Sequence, residues 1–451
     1  MSLIKLVVSD LHLADGNAIL DGFGDVQQAA FEGLLQATSA SGPLGQADDL
    51  ELIINGDCFD FLVIQPYDLQ GSIDIPTAVG KLEKIITAHT PFFEALRLFL
   101  AGPGRHITFI TGNHDIELQF EPVRRRILEA LGGEQVAKDV AFSATRFYRP
   151  LPDVYIEHGN QYDFWNHARV GLWNKEGQAL PDNPETITLP VGSYYFQQAA
   201  YPLSVDYPYF DHFEPSMNAV RQIALLCLLA PQSVVETAQR ISAMIPQPHT
   251  PLAQLAEGEE RTPANLFAAA MIDFAAFQQA MQQRKTDWTE PEGRDIQRAQ
   301  TNAMVEFSML RETLAQPILE AVAAICTPAT YQMGEEVATG MHNVLKDDPT
   351  LRYTIAGHTH MVRIDPVNNG VQTYLNTASW TTRVALPAPG EITPELIEWL
   401  RKPDWQTIPL RDVTAFTFAM ITTPTEGETS VSSASLCVWE GGTKGNYRVL
   451  A

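Results

Sequence analysis

Five short apolar runs, spread along most of the chain, each end in side chains that ligate metals. The first, Leu3-Ile4-Lys5-Leu6-Val7-Val8, leads into Asp10 and His12. The run through Ile53 and Ile54 leads to Asp57 and Asp60, and the run 107–110 leads to Asn113, His114 and Asp115. Val154-Tyr155-Ile156 leads to His158, and Thr354-Ile355-Ala356 leads to His358 and His360. Runs of this length, rich in Val and Ile and closed by Gly, Asn or Asp, read as buried strands. A chain that delivers acids, imidazoles and an amide just past five strand ends is expected to gather them at one rigid site.

The segments between these runs carry a different rhythm. Residues 25–37 place Val26, Ala29, Ala30, Phe31, Leu34 and Leu35 at helical spacing. Residues 78–100 read as two helices, with Pro91 separating them or opening the second, and 123–131 read as a helix ended by Gly132-Gly133. Residues 65–77 read as a loop, and 142–149 and 154–156 as paired strands around a Pro-containing turn. Strand, helix and strand in alternation predict a layered α/β fold.

Two hundred residues separate His158 from His358. Helical segments dominate that interval, so residues 166–344 are expected to form a mainly helical insertion or cap between the fourth and fifth motifs. Its aromatic stretch, residues 194–213, is expected to fill a core, with a substrate groove as the alternative. The core is then 1–165 with 345–410. Residues 411–451 alternate like antiparallel strands and predict a C-terminal β extension that covers the core sheet or forms a subunit contact.

A net charge of −24 and the lack of a basic stripe argue against a general nucleic-acid binder. They do not exclude a small phosphorylated substrate, because bound cations reverse the local field. The one compact basic triplet, Arg124-Arg125-Arg126, reads first as a solvated face and second as a phosphate contact. Cys58, Cys227, Cys326 and Cys437 are scattered and form no CxxC pair, which predicts reduced, mostly buried thiols. The N-terminus runs directly into the first strand, and the most apolar stretch, 223–230, is too short to cross a bilayer. A soluble, cytoplasmic protein is expected, with peripheral membrane contact left open and the oligomeric state not fixed.

Taken together and in this order, Asp10-x-His12, Gly56-Asp57, Gly112-Asn113-His114-Asp115, His158 and Gly357-His358-Thr359-His360 resemble the motifs of the calcineurin-like metallophosphoesterases. The resemblance implies a layered β-sandwich core flanked by helices and a site for two divalent or transition metal ions. Manganese is the first expectation, with Fe, Zn, Ni or Co fitting the same mixed N/O donors. It implies Asp10, His12 and His360 as ligands of one ion, Asn113, His158 and His358 as ligands of the other, and Asp57 as a shared bridge. It implies His114 as a catalytic group at the phosphoryl or leaving oxygen, oriented by Asp115, and Asp60 as a carboxylate that orients a liganding histidine.

The implied activity is hydrolysis of a phosphomonoester or phosphodiester by a metal-activated water. Asp10-Leu11-His12-Leu13 and Gly56-Asp57-Cys58-Phe59-Asp60 are also similar to UDP-2,3-diacylglucosamine pyrophosphohydrolases, which makes a nucleotide-sugar or lipid-precursor pyrophosphate the alternative substrate. The chain departs from those enzymes at His114, where they carry Arg, and in its much greater length. A reading of another class is a non-catalytic metal-binding scaffold. It predicts the loss of a ligand or of the catalytic histidine, and all are present.

Overall fold

The computed structural model describes residues 3–17, 20–39, 41–45, 47–66, 72–163, 185–190, 212–214, 333–385, 410–423, 432–441 and 446–450, with a few single positions besides. In chain order the core runs β1 (Leu3–Val8), α1 (Asp25–Ala37), β2 (Asp49–Asn55), α2 (Ile75–Ala88), α3 (Thr90–Leu100), β3 (Arg105–Ile110), α4 (Glu121–Leu131) and β4 (Val140–Phe142). It continues with β5 (Phe147–Leu151), β6 (Val154–Glu157), α5 (Met333–Asp347), β7 (Tyr353–Ala356), β8 (Val362–Val367) and β9 (Gln372–Thr377), and ends in β10 (Phe416–Thr423), β11 (Ser433–Gly441) and β12 (Asn446–Val449).

These strands make two main sheets. The first has the order β12-β11-β10-β1-β2-β3-β4, and the second β8-β9-β7-β6-β5. β1, β2, β3 and β4 run parallel, as do β6, β7 and β9 in the second sheet. Strands buried on both faces need near-continuous apolar sequence, and β2 and β3 supply it. One core lies between the sheets. Val7, Ile53 and Ile110 from the first sheet meet Val154, Ile156, Ile355 and Leu375 from the second, with Ala419, Ile421 and Leu436 from the tail. Because the central strands of each sheet are parallel, their C-terminal ends share an edge. That edge is where all five ligand-bearing loops begin.

Helices cover both outer faces. Over the first sheet, the rings of Phe31 and Phe92 stack at 4.9 Å, Phe59 lies face to face with Phe93 at 6.2 Å, and Phe59 also meets Phe109 at 6.2 Å. Burying side chains of this size stabilises by about 1.5–3 kcal/mol each. Over the second sheet, Val337, Ala338, Met341 and Leu345 of α5 pack on Tyr155, Ala356 and Tyr374. Two sheets with helices flanking them form the layered α/β architecture that the alternation of segments implied.

Local chemistry explains where the sequence reading and the structure part. Part of the segment expected as a loop is ordered: Ser72–Asp74 is a short strand, and α2 starts at Ile75. The Asp74 side chain accepts from the Thr77 N–H at 2.8 Å and Pro76 sits in the first turn, so the helix is capped ahead of its apolar stripe. The strand expected over 142–149 is two strands, β4 and β5. Ser143 Oγ donates to the Thr145 carbonyl at 2.7 Å and folds the chain back between them. The tail extends the sheet instead of covering it. β10 pairs antiparallel with β1, Leu3 opposite Thr423, and adds three strands to the first sheet.

The arginine triplet on α4 is engaged by the protein. Arg124 donates to the Leu118 and Gln119 carbonyls, Arg125 faces Glu121, and Arg126 pairs with Glu83. Cys58 and Cys437 are buried and unpaired, and burial pushes the Cys58 thiol well up. Among the described residues no helix is long and apolar enough to cross a membrane.

By contacts the chain divides into two compact units, residues 1–194 with 337–382 and 414–451, and residues 195–336 with 383–413. The described part of the second unit includes a short parallel pair, Val384–Ala385 with Phe213–Glu214. The expected helical insertion, residues 166–344, lies outside the described residues apart from short pieces and α5. The same holds for most of the aromatic stretch 194–213.

Candidate metal centre

Beyond the sheet edge the first two loops run side by side as a continuation of their strands. The Asp10 N–H donates to the Gly56 carbonyl at 3.1 Å, His12 N–H to Asp57 at 3.0 Å, and Leu13 N–H to Cys58 at 3.0 Å. The loop after β9 closes on them, with the Trp380 N–H donating to the Asp10 carbonyl at 3.1 Å. Within this frame Asp10, His12, Asp57, His358 and His360 all have positive φ, between 50° and 67°. Non-glycine residues adopt that region rarely and at a cost of order 1–3 kcal/mol each. Five of them at one sheet edge mark a site whose side-chain directions are held against the backbone's own preference.

Close approach requires glycine in three of the motifs, Gly112 among them because its Cβ would land on the Asp57 carboxylate and backbone. A Cβ on Gly56, itself at φ +78°, would land on the His158 imidazole. A Cβ on Gly357 would land between the Asp10 carboxylate and the Ser9 side chain.

The side chains gather into groups able to hold metal ions: Asp10 with His12 and His360, Asp57 with His158 and His358, and His12 with Asp60 and His114. His12 Nε2 and His360 Nε2 are 3.1 Å apart, and Asp10 Oδ1 lies 3.2 Å from His360 Nε2. His158 Nε2 approaches Asp57 Oδ2 at 3.0 Å, and the same oxygen is 4.0 Å from His12 Nε2. Asp57 thus stands between the two groups. All three acids and imidazoles of the second group are buried, as is Asn113 at 1% exposure; His114 and His360 are the partly open ones, with 21% and 16% of the side chain exposed.

Three of the imidazole directions have a visible cause. His12 Nδ1 is held by Asp60 Oδ2 at 3.0 Å, His158 Nδ1 donates to the Asn55 carbonyl at 2.9 Å, and His358 Nε2 is held by Asp163 Oδ2 at 3.1 Å. Occupying one ring nitrogen fixes which nitrogen is left for a metal. The carboxylates are positioned by backbone: Asp57 Oδ1 accepts the His114 N–H at 2.8 Å, and both oxygens of Asp10 accept the His358 N–H at 3.1 and 3.0 Å.

The donor set fits two cations on two counts. Asn113 Oδ1 is buried without a hydrogen-bond partner, and His158 Nε2 is buried without one of good geometry despite its approach to Asp57. A bare buried polar atom costs about 1–3 kcal/mol, and a cation satisfies such atoms directly. The mixture of carboxylate oxygen, amide oxygen and imidazole nitrogen suits Mn, Fe, Zn, Ni or Co better than calcium. Cys58 belongs to no such group.

The charges of the site act on one another. Burial works to raise the Asp57 carboxyl, but the His158 and His114 imidazoles hold it well below the usual range. Burial works to lower His114, but Asp60 and Asp57 push it up to about 10. Burial together with Asp57 pushes Asp115 up to about 7. A bound cation favours the deprotonated forms of its ligands and so competes with these proton positions.

The orientation of His114 differs from the expectation. Its Nδ1 lies 2.9 Å from Asp60 Oδ1, so Asp60 is the acid that holds the imidazole. The Asp115 carboxylate is turned to the backbone, accepting N–H groups from Gly112 at 2.6 Å and Cys58 at 2.9 Å. It fixes the loop rather than the ring. Asp163 has no counterpart in the sequence reading. Its only signal was position, an acid in the loop that starts at His158.

These clusters indicate a two-metal site and support a metal-dependent hydrolytic centre in general. Their arrangement on the layered core is consistent with a calcineurin-like dinuclear metallophosphoesterase fold. Compared with known protein families and with curated proteins, the sequence matches none.

Proposed function

We propose that this chain is a dinuclear metal-dependent phosphohydrolase of the calcineurin-like type, acting on a phosphomonoester or phosphodiester. The observation that carries the proposal is the convergence of His12, His360, Asp10, Asp57 and His158, with the bare Asn113 oxygen buried in the Asn113-His114 loop beside Asp57. Asp10, His12 and His360 would hold one ion, and Asn113, His158 and His358 the other, with the Asp57 carboxylate shared between them. Manganese is the first candidate for both. Bound there, the pair supplies charge neutralisation of a phosphoryl group and an acidified water.

The protein's own groups supply the rest. His114 is one of the two partly open imidazoles of the site, and the Asp60 carboxylate against its Nδ1 favours its protonated form. It is placed to donate a hydrogen bond or a proton to a phosphoryl or leaving oxygen. Asp115 holds the backbone of the 112–115 loop, which fixes where His114 stands. Deeply buried Asp10 and Asp57 resist protonation and present negative charge to the site.

A pyrophosphate of a nucleotide-sugar or lipid precursor is the second reading, favoured by the similarity around Asp10 and Asp57. The test is hydrolysis of a chromogenic phosphomonoester, a chromogenic phosphodiester, a nucleotide-sugar pyrophosphate and a cyclic nucleotide, with Mn added and with metal removed. Metal-dependent turnover supports the proposal, and the preferred compound selects the class. A purified protein that binds no transition metal overturns it.

A further inference from the structure

The Asp60 carboxylate fixes the histidine of one metal group. A second buried carboxylate does the same for the other group, and nothing in the motifs points to it. Asp163 is fully buried, at the end of the short loop that follows His158. Its Oδ2 accepts from His358 Nε2 at 3.1 Å and from Asn166 Nδ2 at 2.5 Å. The Asn166 carbonyl in turn accepts from Asn160 Nδ2 at 3.0 Å. The loop therefore closes on itself and brings one oxygen to the far side of the imidazole.

That contact decides the chemistry of His358. With Nε2 taken by the carboxylate, Nδ1 is the nitrogen His358 has left for a cation with Asp57 and His158. His158 is set the opposite way, with Nδ1 on a carbonyl and Nε2 inward. A carboxylate partner also raises the basicity of the imidazole, which a backbone carbonyl does much less.

We infer that Asp163 is the positioning residue of the second metal site, fixing the His358 tautomer and setting the affinity of the ion held by Asp57, Asn113, His158 and His358. Asn166 holds Asp163 in turn. The inference rests on the two-metal reading of the site.

The experiment measures metal directly. Wild type, Asp163→Ala, Asp163→Asn and Asn166→Ala are loaded with Mn, and bound metal per chain is followed against a chelator of known affinity. Wild type is expected to hold two ions of separable affinity. Asp163→Ala is expected to weaken one of them about 10–100-fold and leave the other unchanged. Asp163→Asn keeps an acceptor for His358 Nε2–H but loses the charge, and is expected to fall between the two. Asn166→Ala is expected to weaken the same ion by less. Melting of the metal-free proteins separates folding from binding. Asp163→Asn that melts like wild type and still binds one ion more weakly supports the inference. Unchanged binding of both ions in Asp163→Asn and in folded Asp163→Ala overturns it while leaving the two-metal reading intact. A wild type that binds no ion overturns both, and a uniform weakening of both ions overturns the assignment of Asp163 to one site.

Discussion

Asp60 holds two imidazoles with one carboxylate: Oδ1 lies 2.9 Å from His114 Nδ1 and Oδ2 lies 3.0 Å from His12 Nδ1. The two rings meet edge to face at 4.6 Å. A proposed catalytic group and a proposed metal ligand thus share their orienting partner, and substitutions on the two sides of this carboxylate should separate their roles.

His114→Ala is expected to lower kcat by about 10²–10⁴-fold while metal content stays at two per chain. Asp60→Asn is expected to lower kcat and also to weaken one ion by about 10–100-fold. Turnover and metal content measured on the same samples check both. Equal metal loss in the two variants would contradict the division of roles.

Removing metal should cost stability as well as activity. Four carboxylates and several imidazoles crowd a buried edge, and cations relieve their repulsion and satisfy Asn113. Free metal at a hundred times its Kd is expected to stabilise the fold by about 2.7 kcal/mol per site. Melting curves with chelator and with added Mn test this, and identical curves would speak against a bound metal.

Glu117 makes the fold sensitive to alkali. It is fully buried behind the His114 loop, and neither oxygen finds a hydrogen-bond partner outside its own residue. Burial pushes its carboxyl up to about 8, although the Lys81 ammonium pulls the other way. Below about pH 4.5 folded and unfolded chains both hold the proton; between there and about 8 only the folded chain does. The folded state then binds more protons, so stability falls as pH rises through that window. Glu117→Gln should gain on wild type by on the order of a few kcal/mol from pH 5 to pH 8.5. Thermal melts at both values decide it, since a constant difference would remove the titration argument.

Gly357→Ala should fail at the metal centre before it fails in the fold. The added methyl meets the Asp10 carboxylate and Ser9, both fully buried. Overpacking of this kind costs about 1–3 kcal/mol. The expected result is a folded protein with a lower melting temperature that has lost the ion held by Asp10. Full metal content in this variant would show that the loop can yield.

The ligands were legible because each lies just past an apolar run, with a glycine directly before Asp57, Asn113 and His358, a local pattern that survives without knowledge of the fold. Orientation was not. Asp60 and Asp115 are both acids near His114 in the motifs, and only the three-dimensional turn directs Asp115 to the Gly112 and Cys58 N–H groups. Asp163 was silent because an acid in an aromatic loop carries no spacing that ties it to a histidine 195 positions away. Helices α1, α3 and α4 followed from periodicity and from Pro and Gly stops. The start of α2 did not, because a side-chain cap precedes its apolar stripe. The docking of β10 on β1 was open for a related reason: alternation announces a strand, whereas its partner is set by a non-local register.

Both oxygens of the Asp10 carboxylate accept the N–H of His358, which lies 348 residues later in the chain. At about 5–20 residues per second, a ribosome needs roughly 20–70 s to supply that partner after Asp10 has been made. During that interval the edge of β1 that β10 later covers is also unpaired. An ion that needs Asp10 with His360, or Asp57 with His358, could be held only after the later histidines have been made. β1 is therefore made long before the strand that completes it, and its edge stays open in the meantime.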